Sequence, residues 1–158
     1  MLRVIYGIQK GDTAITLVKF IHRLPESFSS NMEASMTLIE VHSRLANTAM
    51  IYCIIMAVWG LIGFFRKQGV SGGYFGAIVI AELLLVAQGI LGLILWFGAA
   101  PVRPQWVHWL YGVVLVLGAP LVYAYTKGRQ ERPELLLYAV AFVIMIALVL
   151  RAMVTAAA

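Results

Sequence analysis

Cysteine occurs once in this chain, as Cys53, and charged residues make up only 12% of its 158 positions. A lone thiol has no intrachain partner, so the sequence offers no structural disulfide, no dithiol for redox exchange and no thiolate metal cluster. Cys53 is read as a small packing residue. The shortage of charge has a larger consequence. With 62% hydrophobic residues and a mean hydropathy of +0.90, the chain carries more apolar surface than a soluble domain of this size can hide. Nucleic acid is not an expected partner despite the net charge of +5. The basic residues are scattered among loops and interfacial positions, as is ordinary for a protein of the cell (inner) membrane. A ladder of polar residues across the apolar segments is also missing, Glu82 apart, which ranks channels and transporters low. The opening MLRVIYGIQKGD has no sustained apolar core and is not read as a signal peptide.

What the chain does have is four long apolar runs, approximately Val41 to Phe65, Tyr74 to Phe97, Gln105 to Tyr125 and Glu134 to Val154. A bilayer core about 30 Å thick asks for roughly 20 apolar residues per helix, and a helix satisfies its own backbone hydrogen bonds without water. Short turns separate the runs: Arg66 to Gly73, Gly98 to Pro104 and Thr126 to Pro133. Neighbouring helices are therefore antiparallel. The expected fold is all-α, an integral membrane four-helix up-and-down bundle in the lipid bilayer over residues 41–158, preceded by a tail of residues 1–40.

Positive charge in short loops sets the orientation. Arg66 and Lys67 flank the first turn, and Lys127, Arg129 and Arg132 fill the third, whereas the second carries only Arg103. That bias places the first and third turns in the cytoplasm and both chain ends toward the outer face. Within the tail, Ala14 to Leu24 sets Ile15, Val18 and Ile21 at helical spacing between Lys19, His22 and Arg23. This pattern suits a short helix lying on the membrane surface or docking on a partner subunit.

Two histidines, His42 and His108, open the first and third runs. In an up-and-down bundle those helices point the same way, so both imidazoles are expected at one depth near the outer face. Diagonal helices with level histidines can clamp an iron porphyrin, each offering a neutral imidazole nitrogen as axial ligand. Small residues follow each histidine on its own face: Ala46, Ala49, Cys53 and Gly60 on the first helix, and Gly112, Ala119 and Thr126 on the third. Such grooves admit a porphyrin and equally allow close helix packing. A bare transition-metal site is less well served, since two imidazoles make an incomplete shell to which only Glu40 could add a carboxylate. Either histidine alone could instead bond a headgroup, water or a carbonyl. Glu82, inside the second run, could relay protons or neutralise a cation, or be hydrogen-bonded within the bundle.

The stretch from Leu38 to Leu45 (LIEVHSRL), the Gln88 to Gly92 run (QGILG) and Val107 to Leu110 (VHWL) resemble one half of heme A synthase. The resemblance covers roughly Leu38 to Tyr125. Proteins of that family contain two four-helix units, each with histidines at the outer ends of its first and third helices and a carboxylate before the first. The resemblance implies haem held by His42 and His108 (b type, with o and a types also open) and electrons drawn from a quinone or another donor. The implied activity is oxidation of heme O to heme A, with Glu40 as the catalytic carboxylate, or electron carriage alone. Arg44 and Arg103, at the same outer level, are candidates to pair with haem propionates, because a guanidinium matches a carboxylate with two parallel hydrogen bonds. Two departures stand out. Glu40 is two residues before His42 where the family has three, which turns it about 200° from the imidazole on a helix. Only one of the family's two units is present, so a homodimer could restore the pair. Other readings stay open: an accessory or anchor subunit of a respiratory or photosynthetic membrane complex, and a chlorophyll protein using the same histidines.

Overall fold

Backbone groups in a bilayer have no water to bond, so each apolar run closes its own hydrogen bonds as a helix. The structure, a computed structural model, describes residues 26–98 and 105–156, with residues 26–29, 31, 32 and 35 described by backbone alone. Four helices account for almost all of this: α1 (Glu26–Phe65), α2 (Gly72–Phe97), α3 (Trp106–Thr126) and α4 (Arg132–Ala156). Among the described residues there is no strand. All four are long and apolar enough to cross a membrane, the first through its segment Met36–Phe65. The chain is thus an all-α, multi-pass four-helix bundle suited to a lipid bilayer.

Helix α1 corrects the expected boundary at residue 41. It runs for 40 residues, taking residues 26–40 from what the hydropathy pattern assigned to the tail. Hydropathy measures the part that spans, not the part that is helical. The relevant signal is the absence of Gly and Pro between Pro25 and Gly60, which leaves nothing to break a helix. His42 therefore stands about four turns into its helix rather than in an opening turn. The surface helix expected at Ala14 to Leu24, and Arg103, lie outside the described residues.

Sequential helices pack on one another, and α4 also closes against α1; neither diagonal pair, α1 with α3 or α2 with α4, brings its backbones together. The end bearing the first and third turns is tightly closed. Val70 N–H donates to the Gln130 carbonyl at 2.9 Å. Arg132 donates from Nε to the Phe64 carbonyl at 3.0 Å and lies 4.3 Å over the Phe64 ring. At Gly69 a side chain would run into the Gln130 carbonyl oxygen, so the turns meet backbone to backbone. One layer further in, Tyr74 donates its hydroxyl to the Met56 carbonyl at 3.1 Å. A Cβ on Gly60 would lie 2.6 Å from that hydroxyl and 2.9 Å from Ala139 Cβ, which is why glycine stands there. Tyr74, Tyr138, Phe142 and Met56 fill this part of the core. The outward faces carry Ile, Leu, Val and Phe, as lipid-facing surfaces do.

Candidate functional site

Among the described residues, the opposite end of the bundle is packed less closely. Helices α2 and α3 approach each other least closely of the neighbouring pairs, and a cavity of about 380 Å³ lies there, lined by residues of all four helices. That volume is within the range of roughly 300–1,000 Å³ usual for small-molecule and cofactor pockets. The small-residue groove beneath His42 divides accordingly. Ala46 and Ala49 line the cavity, whereas Cys53 is buried and Gly60 is pressed against Tyr74. On α3, Gly112 lines the cavity, and a Cβ there would meet nothing within 4 Å; Ala119 and Thr126, further along, are buried.

His42 and His108 meet across this space. Their ring centroids are 6.3 Å apart, with the planes inclined at 56°. The expectation that the two imidazoles come level on diagonal helices therefore agrees with the geometry. Their surroundings differ. His108 Nδ1 is 2.9 Å from the Ala152 carbonyl oxygen on α4. A carbonyl can only accept, so Nδ1 carries the proton and Nε2 is left with its lone pair. The same oxygen accepts from the Thr155 hydroxyl at 3.1 Å, which ties this anchor into the last turns of α4. A carbonyl that fixes the tautomer and orientation of an imidazole is the usual outer support of a metal-ligating histidine. Nothing in the sequence pattern pointed to α4, and its part here is a finding of the structure.

His42 is held by Gln88 of α2. The Gln88 amide nitrogen donates to the His42 carbonyl at 3.0 Å and stands 3.3 Å from His42 Nε2. The carbonyl contact fixes which end of the amide is nitrogen, so Nε2 of His42 accepts and its ring proton lies on Nδ1. Among the described residues, three buried polar atoms of the lining have no hydrogen-bond partner: His42 Nδ1, Gln88 Oε1 and Trp109 Nε1. The Trp109 ring is held edge-on to Trp96, with centroids 5.1 Å apart.

Other candidates fall elsewhere. Glu40 and Arg44 do not line the cavity: they pair with each other at 2.6 Å, with 61% and 78% of their side chains exposed. The catalytic carboxylate and one propionate-binding guanidinium expected from sequence are thereby displaced to the outside of α1, as the 200° offset of residue 40 from residue 42 dictates. Glu82 is not in the lining either; it sits three residues from Leu85, the first α2 residue of the cavity wall, with Oε2 buried and without a partner among the described residues. Among the described residues no cluster of three or more His, Cys, Asp or Glu side chains could close a shell around a bare metal ion.

The residues present fit a haem. The two imidazoles, 6.3 Å apart across the cavity, would offer a haem iron two neutral nitrogen ligands. Glycines 89, 92 and 112 in the lining leave room for a flat ring. No family model, curated protein or solved structure matches the chain.

Proposed function

We propose that this is a haem-binding membrane protein of the electron-transfer class, with His42 and His108 as axial ligands of a b-type haem near the outer face. The observation that carries this reading is the pair of imidazoles, 6.3 Å apart across an apolar cavity, one of them with its Nε2 freed by a backbone carbonyl. A bound haem supplies reversible one-electron chemistry at its iron. The chain's residues bind and orient it. His108 is held by Ala152; Gly89, Gly92 and Gly112 leave space for the ring; Leu85, Leu115 and Val149 exclude water from below. Among the described residues, the lining contains no acid or base apart from the two histidines. Electron carriage is therefore favoured over the oxidation of heme O that the resemblance to heme A synthase also implies. Arg66, Lys67, Lys127, Arg129 and Arg132 gather at the closed end of the bundle, which supports a cytoplasmic position for that end and an outer position for the haem.

The test is the reduced-minus-oxidised spectrum, with haem quantified as the pyridine complex, of protein purified in mild detergent from haem-replete cells. The expected result is one haem per cavity with six-coordinate, low-spin bands, lost or made five-coordinate in His42→Ala and in His108→Ala. A colourless, well-folded wild type from the same cells refutes the proposal and leaves a non-catalytic subunit of a membrane complex in front.

A further inference from the structure

The two histidines are not equivalent. His108 presents an Nε2 lone pair, since its proton is committed to Ala152 through Nδ1. His42 presents no free Nε2, because the Gln88 amide occupies it at 3.3 Å. Gln88 is anchored independently by the His42 carbonyl, so the amide keeps its place when the imidazole swings away and is there to receive it again. For His42 Nε2 to bond iron, the amide proton must let go of it; for that bond to break, the amide offers a ready alternative partner.

We infer that Gln88 makes His42 the exchangeable ligand of the site and His108 the permanent one, so that small neutral molecules such as carbon monoxide bind the iron on the His42 face. This rests on the bis-histidine haem reading above. Gln88 is a positioning residue here: it acts on iron only through the imidazole it competes for. In the exchange the His42 Nε2–iron bond breaks, Nε2 returns to the amide, and the incoming ligand donates its own electron pair to the same coordination position; no electron or proton leaves the site. Gly92 lines the cavity beside that imidazole, and a Cβ there would lie only 3.4 Å from His42 Cε1, so glycine keeps the space next to His42.

The experiment titrates the dithionite-reduced, haem-loaded protein with carbon monoxide in detergent and follows the absorption and the iron–histidine stretching band. Wild type is compared with Gln88→Met, which keeps an unbranched chain of similar length without a donor, and with His42→Ala and His108→Ala. The wild type is expected to take up carbon monoxide. In Gln88→Met the apparent affinity should fall about 3- to 10-fold, the size of one lost competing hydrogen bond. His42→Ala should bind without competition and give the same adduct spectrum as the wild type, whereas the His108→Ala adduct should differ. Coloured, six-coordinate wild type with an affinity unchanged by Gln88→Met overturns the inference and leaves the haem reading standing. So does a wild-type adduct that matches His108→Ala in place of His42→Ala, and that comparison does not depend on the Gln88 variant folding. A colourless wild type removes the haem reading and this inference with it.

Discussion

Filling the cavity without touching a ligand separates the site from the fold. Gly112 lies in the wall, and a Cβ there meets nothing within 4 Å, so Gly112→Leu adds four carbons to open space. At about 30 Å³ each, the share of a water in the liquid, they take of the order of a third of the roughly 380 Å³ available. The fold should gain. Replacing glycine by a good helix former such as leucine within a helix is worth about 0.5–1 kcal/mol, and the new contacts with the walls add to it. The haem should lose, since forcing extra carbons against a close-fitting group costs about 1–3 kcal/mol, which is roughly 5- to 150-fold in affinity. Gly76→Leu is the control: Gly76 is exposed on α2 with nothing within 4 Å of its Cβ position, so it shares the helical gain without entering the cavity. Thermal unfolding of the haem-free proteins in detergent and haem titration give both numbers. Opposite signs are expected for Gly112→Leu and a stability gain alone for Gly76→Leu. If Gly112→Leu takes up haem with wild-type affinity, the cavity is not the haem site and the reasoning fails.

Three further expectations concern the closed end. Gly69→Ala drives a methyl into the Gln130 carbonyl and should cost about 1–3 kcal/mol, seen as a lower unfolding midpoint with haem affinity unchanged. Arg129 pairs at 2.9 Å with Glu134, whose side chain is only 5% exposed while that of Arg129 is 62% exposed; Arg129→Met should cost about 1–2 kcal/mol once the exposure is allowed for, and Glu134→Gln in that background should recover part of it. Recovery by neither Glu134→Gln nor Arg129→Lys would show that the pair contributes nothing. In a Cys53→Ala background, Gln68→Cys in the exposed first turn should react with a membrane-impermeant maleimide only after the cells are opened; labelling of intact cells would invert the orientation.

Much of this was legible in the sequence because the bilayer imposes one rule on every span: an apolar run of the right length becomes a helix. The start of α1 was not, because residues 26–35 are too polar to register as a span although nothing in them breaks a helix. The meeting of His42 and His108 was legible as well, since antiparallel alternation puts the first and third helices in register. The Glu40–Arg44 pair could be read as a four-residue contact along one face of α1, turned away from His42. Ala152 could not. A backbone carbonyl carries no side-chain signature, and whether it faces His108 depends on the rotation of α4, which is set by packing of Tyr138, Phe142 and Met145 into the core. Gln88 was visible as part of a motif, but its hold on Nε2 is a matter of a few tenths of an ångström.

The two ends of the bundle divide the work, and the division follows from where small and large residues stand. Near the first and third turns, glycine at 60, 63 and 69 brings backbones and large rings into direct contact: Gly60 under Tyr74, Gly63 under Leu135, Gly69 under Gln130. There glycine is used to remove space. Near the histidines, Gly112 faces open space and the Cβ positions of Gly89 and Gly92 come no closer than 3.5 and 3.4 Å to a neighbour, so glycine is used to keep space. In a membrane, where lipid tails are as apolar as the helix faces, burial alone gives helices little reason to associate. The clamped turns and the Tyr74–Met56 bond therefore hold the bundle at one end and free the other from having to close. That lets two helices stand far enough apart to carry an imidazole each, while α4 reaches across to orient one imidazole through its backbone and α2 restrains the other through an amide.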